Sequence, residues 1–287
     1  MAHNYRRSFS ALMNVREVGY EIALGQMLKS IGPMVFVFLG TGDASKGAQQ
    51  EIFENLPFEY IEVKDLPQIH ERGSMSKVYG VVIGTKDYLR KKDGGDFNRE
   101  EFRQHPGRYV SVFAEEVAPY ASVIVNGLYW KPGYPKLLTT SDAQKLLQAR
   151  PKTISDSHLG FDLPHRLLAI CEISADPCGA FEFIDKCTTF PFFIYDENQQ
   201  QRDVAYRGPG ILICSIDNMP SQFAMEATES FGKLLLPYMD NILSSDATKP
   251  LEQHNLHKFI REAIIASNGK LQPNFEYIDH YIKGLQK

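Results

Sequence analysis

Residues 34–55 constrain the fold more than any other stretch. Met34-Val35-Phe36-Val37-Phe38-Leu39 is continuously apolar and rich in β-branched and aromatic side chains, and Gly40-Thr41-Gly42 follows it directly. A short run without polar alternation predicts a strand buried on both faces, as in a parallel sheet covered by helices. The glycines predict a tight turn, and Ser45 to Asn55 then reads as a helix. A strand, glycine turn and helix in that order belong to an α/β architecture rather than to a bundle or a sandwich.

The rest of the chain extends this pattern. Phe58–Val63, Val78–Ile83, Ser122–Val125 and Leu167–Ile173 read as further strands. Their alternation with helical or irregular crossovers predicts a Rossmann-like, doubly wound parallel sheet. Upstream, Phe9, Leu12, Val15, Val18, Ile22 and Met27 recur at helical intervals across Ser8–Leu28, interrupted by Gly19. Downstream, Phe192–Tyr195 and Ile211–Ile216 read as strands, and Phe223–Leu243, His254–Ala266 and Asn274–Gly284 as helices. The mixed-charge segment Lys86–Tyr109 reads as a solvated insertion, and Arg150–Pro164 as a polar linker. The expected organisation is a connecting helix at 1–32, a dinucleotide-binding domain at 33–190 and a smaller C-terminal α/β segment at 191–287.

Gly40-Thr41-Gly42-Asp43-Ala44-Ser45 is a G-x-G-x-x-small form of the dinucleotide fingerprint. One glycine turns the chain, the next lets backbone approach a pyrophosphate, and the third position needs a small residue. Amides at the start of the following helix, whose dipole favours negative charge, would face the phosphates, with Lys46 adding a mobile cation. The same turn would also serve strand-to-helix geometry alone. Glu62 ends the next predicted strand, where dinucleotide folds place an acid that bonds the adenosine ribose hydroxyls. A carboxylate there repels the 2′-phosphate of NADP and favours NAD; Lys64 offsets it, so the residues leave NADP against NAD open.

Several classes are excluded. A formal net charge of −4 supplies no cationic field for nucleic acid. The longest apolar runs fall far short of the roughly 18 to 20 residues of a membrane span. Cys171, Cys178, Cys187 and Cys214 form no C-x-x-C pair and read as reduced thiols, and the histidines lack metal-ligand spacing, so no metal site is expected. The N-terminus has neither a signal h-region nor an Arg/Ser-rich transit composition.

The strings AHNYR (2–6), KSIGP (29–33), GTGDASKGA (40–48), APYASVIVNGLYW (118–130), LLTTSDAQKLL (137–147), ISAD (173–176), GILICSIDNMPSQ (210–222), MEATESFG (225–232) and REAIIASNG (261–269) span nearly the whole chain. Together they resemble the lysine-ketoglutarate reductase region of bifunctional aminoadipic semialdehyde synthase. The resemblance implies an enzyme that condenses L-lysine with 2-oxoglutarate and reduces the imine to saccharopine, usually with NADPH. It also implies an architecture like that of alanine dehydrogenase and fungal saccharopine dehydrogenase, a fused downstream saccharopine dehydrogenase domain, and a place in the mitochondrial matrix. Asn126, Gly127 and Tyr129 would flank the cofactor ribose, Asp176 would stand beside the nicotinamide in a supporting catalytic role, and Asn218 and Met219 would contact the nicotinamide. Each also has a plainer reading, as a turn after a strand, a turn-forming Asp before Pro177, and a helix-starting turn. The family places the lysine and histidine thought to act as acid and base upstream of the first Rossmann strand. The expectation is therefore an N-terminally truncated piece with an incomplete second domain, inactive alone and acting when isolated as a nucleotide-binding or domain-docking module.

Overall fold

The computed structural model describes residues 7–147, 165–188, 193–195, 201–203, 210–246 and 248–285. The AHNYR string and the linker expected at 150–164 lie outside them. The chain forms two compact units, Met1–Phe223 and Ala224–Lys287.

The first unit opens with α1 (Ser8–Ala23), β1 (Val35–Leu39), α2 (Asp43–Phe53), β2 (Phe58–Tyr60), α3 (Leu66–Arg72) and β3 (Val78–Ile83). It continues through α4 (Thr85–Tyr88), β4 (Leu89–Lys91), α5 (Arg99–Gln104), β5 (Tyr109–Ser111), α6 (Phe113–Glu116), β6 (Val123–Asn126), α7 (Thr140–Leu147) and β7 (Ala169–Glu172). Strands β8 (Phe193–Tyr195), β9 (Gln201–Asp203) and β10 (Ile211–Cys214) complete it. The main sheet runs β2-β3-β1-β6-β7-β10-β8-β9. Its first six strands are parallel, and β8 and β9 add an antiparallel margin.

Strand β1 shows why its sequence has no polar alternation. Val35, Val37 and Leu39 pack into one core with Leu66 of α3, while Phe38 packs into another with Ile22 of α1 and Phe53 of α2. Both faces of the strand are covered, so every position is apolar. Phe53 lies over Gly80 of β3, where an added Cβ would come within 2.5 Å of the ring. The same ring stacks on Phe58 at 4.2 Å and meets Phe38 edge-on at 4.8 Å. Gly19, which interrupts the apolar stripe of α1, lets that helix lie against the end of α2, because a Cβ there would stand 2.6 Å from the Asn55 carbonyl.

Several features differ from the sequence reading. The second strand stops at Tyr60, because the backbone turns into a 3-10 helix at Val63–Asp65. The 86–109 segment is not a solvated excursion: β4 and β5 pair as a hairpin, and Phe102 and Tyr109 are 3% and 2% exposed in the main core. Apolar residues spaced widely among charges hid this. The boundary expected at 190/191 falls inside the main sheet, since β10 pairs with β7, and the units divide instead at Phe223/Ala224.

The second unit comprises α8 (Ala224–Leu235), α9 (Met239–Leu243), α10 (Lys258–Ala263), a small hairpin of β11 (Ala266–Ser267) and β12 (Lys270–Leu271), and α11 (Tyr277–Leu285). The single long helix expected at 223–243 breaks at Leu236-Pro237-Tyr238, where the proline forces a 3-10 turn.

Candidate functional site

Parallel register sets Leu39 beside Ile83 of β3 on one side and beside Asn126 of β6 on the other. The glycine turn therefore leaves the sheet between the ends of β3 and β6. From here the chain after β1 goes toward β2 and the chain after β6 goes toward β7, so connections diverge at this point. That is the topological switch where doubly wound sheets hold ligands.

Backbone bonds fix the turn on both sides: the Gly40 N–H donates to the Ile83 carbonyl and the Gly127 N–H to the Leu39 carbonyl, each at 2.9 Å. Gly40 has φ +99°, and a Cβ on it would stand 3.0 Å from the Gly127 carbonyl oxygen. A Cβ on Gly127 would stand 3.2 Å from the Ser45 amide nitrogen. Gly40 and Gly127 thus let the turn, the β6 loop and the start of α2 close on one another. Gly42 differs, since a Cβ there meets nothing within 4 Å. Space lies open where the fingerprint predicts a pyrophosphate.

Ser45 is fully buried, and its hydroxyl accepts from Gln49 Nε2 at 3.0 Å, so its side chain serves helix packing. The Lys46 N–H closes the first helical bond, onto the Gly42 carbonyl at 3.0 Å. Amides before it in the first turn have no helical acceptor, an arrangement suited to an anion. Thr41, Gly42, Asp43 and Lys46 are exposed, with Lys46 4.0 Å from Asp43 in a solvated pair.

Glu62 is not brought to this turn. Tyr60 of β2 pairs with Gly80, and the Ile61 N–H bonds the Gly80 carbonyl at 2.9 Å, so Glu62 stops short of the edge reached by Ile83. Strand β3 also lies between β2 and β1. That is about two interstrand spacings, or ~10 Å, of lateral separation. The Glu62 carboxylate is solvent-exposed and ion-paired with Lys64, and the Glu62 backbone N–H donates to Asp65 Oδ2 at 3.0 Å.

At the end of β6, Asn126 is buried within a polar network rather than presented to solvent. Its Nδ2 donates to Glu172 Oε1 and Oε2 at 3.0 and 2.8 Å, and its Oδ1 accepts the Leu128 N–H at 3.2 Å. Gly127 sits against the glycine turn, and Tyr129 is 81% exposed. Ser174 donates to Glu172 Oε1 through both its hydroxyl and its N–H. Burial pushes the Glu172 carboxyl up to about 7, against the opposing effect of these hydrogen bonds. The sequence reading missed Glu172; its signal is a single acid at the end of an apolar strand, in Ala169-Ile170-Cys171-Glu172.

Asp176 lies in the loop beyond β7, and partial burial raises its carboxyl above the usual carboxylate range. The loop is held in an uncommon shape, with Ala175 at φ 53° and Cys178 at φ 49°. Asp176 accepts the Gly179 N–H on its carbonyl at 2.9 Å, and Lys136 donates to the Cys178 and Gly179 carbonyls. Asn218 and Met219 follow β10, which neighbours β7, at the start of a 3-10 helix; Asn218 is exposed, and its carbonyl accepts the Ser221 N–H and hydroxyl. Cys171 and Cys214 face each other across β7 and β10; their hydrogen bond, with burial, pushes the Cys171 thiol up. No group of three or more His, Cys, Asp or Glu side chains fit to hold a metal occurs among the described residues. No helix among them is long and apolar enough to cross a membrane.

No family model matches the chain. It is 47% identical over 97% of its length to the mitochondrial alpha-aminoadipic semialdehyde synthase of Bos taurus, and likewise 47% identical to that of Mus musculus. The alpha-aminoadipic semialdehyde synthase of Arabidopsis thaliana is 33% identical over 96%. The chain spans about 30% of the mammalian proteins and 26% of the plant protein. Among solved structures, an L-alanine dehydrogenase aligns over 94% of this chain and 62% of its own, with a TM-score of 0.46 and 17% identity.

Proposed function

Given a chain homologous over nearly its whole length to one segment of the alpha-aminoadipic semialdehyde synthases, we propose that it is the dinucleotide-binding part of a lysine-ketoglutarate reductase. The reaction is the reductive condensation of L-lysine and 2-oxoglutarate to saccharopine with NADPH, within lysine degradation. The observation that carries the reading is the open space at Gly42, beside the N-terminus of α2 and at the divergence of β1 and β6.

In this reading the backbone of Gly40, Thr41 and Gly42 and the first amides of α2, from Asp43 to Ser45, hold the pyrophosphate, with Lys46 adding charge. Asn126, fixed by Glu172, sets the course of the β6 loop, so that Gly127, Leu128 and Tyr129 line the middle of the crevice. Asp176, Asn218 and Met219 border the nicotinamide end, where Asp176 orients or tunes a neighbouring proton donor. The bound nicotinamide supplies the hydride. The residues of this chain exclude water and fix the ring against the imine.

A second reading follows from the share of the relatives that the chain spans. The lysine and 2-oxoglutarate sites, and the groups that move protons there, belong to other parts of such proteins. The chain alone then binds the nucleotide without turning over substrate. In the whole protein we place it in mitochondria, fused to a downstream saccharopine dehydrogenase domain.

The test measures NADPH and NADH affinity by fluorescence titration, then lysine- and 2-oxoglutarate-dependent NADPH oxidation with the product identified by mass. Nucleotide binding without oxidation by this chain, and saccharopine formation by a longer chain carrying it, is the expected pair of results. Absence of nucleotide binding by the folded chain refutes the reading.

A further inference from the structure

We propose that the adenosine end of the dinucleotide is read by the turn after β3, with Lys86 holding the 2′-phosphate of NADPH and the Thr85 hydroxyl bonding the ribose, in place of Glu62. The inference rests on the reading of Gly40–Ser45 as the pyrophosphate turn.

In the common doubly wound arrangement the strand that follows the fingerprint helix lies beside the first strand, and the residue at its carboxyl end meets the ribose. What matters physically is adjacency, because a dinucleotide anchored at the start of α2 extends its adenosine over the strand next to β1. In this sheet that neighbour is β3, the third strand in sequence, and the second is displaced to the edge. The ribose-reading position therefore moves from the end of β2 to the residues after Ile83.

Local geometry agrees. The Gly40 N–H to Ile83 carbonyl bond ties the glycine turn to the end of β3. A Cβ on Gly84 would come within 3.8 Å of the Thr41 methyl, so the two turns are in side-chain contact range. The acids of this region are engaged elsewhere. Asp87 Oδ2 accepts the Gly84 N–H at 2.7 Å inside its own turn, and Glu116 pairs with Arg90 at 2.7 Å. Arg90 is held by that pair and by the Asp87 carbonyl at 3.2 Å. Lys86 is exposed beside Thr85; its carbonyl accepts from Arg90 Nη1 at 3.4 Å, and its ammonium, outside the pairs just named, is a mobile cation of the turn. A phosphate dianion suits such a point charge.

The experiment titrates the full chain and three variants, Lys86→Glu, Lys86→Arg and Glu62→Ser, with NADPH and NADH by nucleotide fluorescence. Lys86→Glu is expected to weaken NADPH by about tenfold or more while NADH changes by less than about twofold. Lys86→Arg should retain NADPH affinity, and Glu62→Ser should leave the NADPH-to-NADH ratio unchanged. The inference is overturned if Lys86→Glu leaves that ratio unaltered, if it weakens both nucleotides equally, or if Glu62→Ser shifts the ratio toward NADPH. Failure of the wild-type chain to bind either nucleotide is a different result, because it removes the pyrophosphate assignment itself and the inference with it.

Discussion

Asn126 and Glu172, in register on neighbouring strands β6 and β7, are locked together: one amide nitrogen donates to both carboxylate oxygens, at 3.0 and 2.8 Å, inside a fully buried site. The arrangement has two consequences. It aims the Asn126 carbonyl oxygen at the Leu128 N–H and so shapes the loop that closes on the glycine turn. It also holds in a buried place a carboxyl that burial, against these hydrogen bonds, pushes up to about 7.

The first prediction concerns stability against pH. Because the folded-state pKa of Glu172 is raised, the native state holds a proton that the unfolded chain has released. Its contribution is fully present below about pH 4.5 and is lost as the pH rises through about 7. The swing is on the order of 3 kcal/mol. Glu172→Gln should flatten the fall in stability between pH 5 and 8, read by urea unfolding at each pH. A variant whose profile tracks the wild type would show that Glu172 does not carry this dependence.

The glycines of the fingerprint should separate by role. Gly40→Ala imposes a side chain at φ +99° and only 3.0 Å from the Gly127 carbonyl, so it should destabilise the fold by roughly 1 to 3 kcal/mol. Thermal unfolding reads the loss, and a melting temperature equal to the wild type would mean that the turn relaxes freely.

The 86–109 segment hangs on Glu101, which accepts from Arg108 at 2.9 Å, Lys91 at 3.1 Å and the Tyr109 hydroxyl at 3.0 Å. Arg108 first, then Lys91, hold its carboxyl down to about 2, so these contacts persist as pH falls through the ordinary carboxylate range and are lost only near that value. Glu101→Gln should speed amide exchange across α5 and β5 while nucleotide affinity stays within about twofold. Unchanged exchange would show that burial of Phe102 and Tyr109 alone holds the segment.

Much of this structure was legible in the sequence because both faces of β1 are buried and its end must turn. The strand, turn and helix at 34–55 follow from the apolar run and the glycines, and β3 matches its expected limits of Val78–Ile83. Strand order was not legible, because periodicity identifies strands but does not say which lie side by side. Glu62 therefore looked like the ribose acid, while the position next to β1 belongs to the residues after Ile83. Glu172 was passed over because a lone acid ending an apolar strand has no spacing pattern; its meaning comes from Asn126, 46 residues away in sequence.

The central claim, that the Gly40–Ser45 turn holds a dinucleotide, is tested most directly by titrating the chain and its Gly42→Val variant with NADPH while recording thermal unfolding of both. A branched side chain at Gly42 enters open space in the free protein, so the melting temperature should stay within about 2 °C of the wild type. The same side chain occupies the volume where backbone meets pyrophosphate, so saturable binding in the wild type should vanish in the variant. Equal NADPH affinity in wild type and folded Gly42→Val would contradict the account.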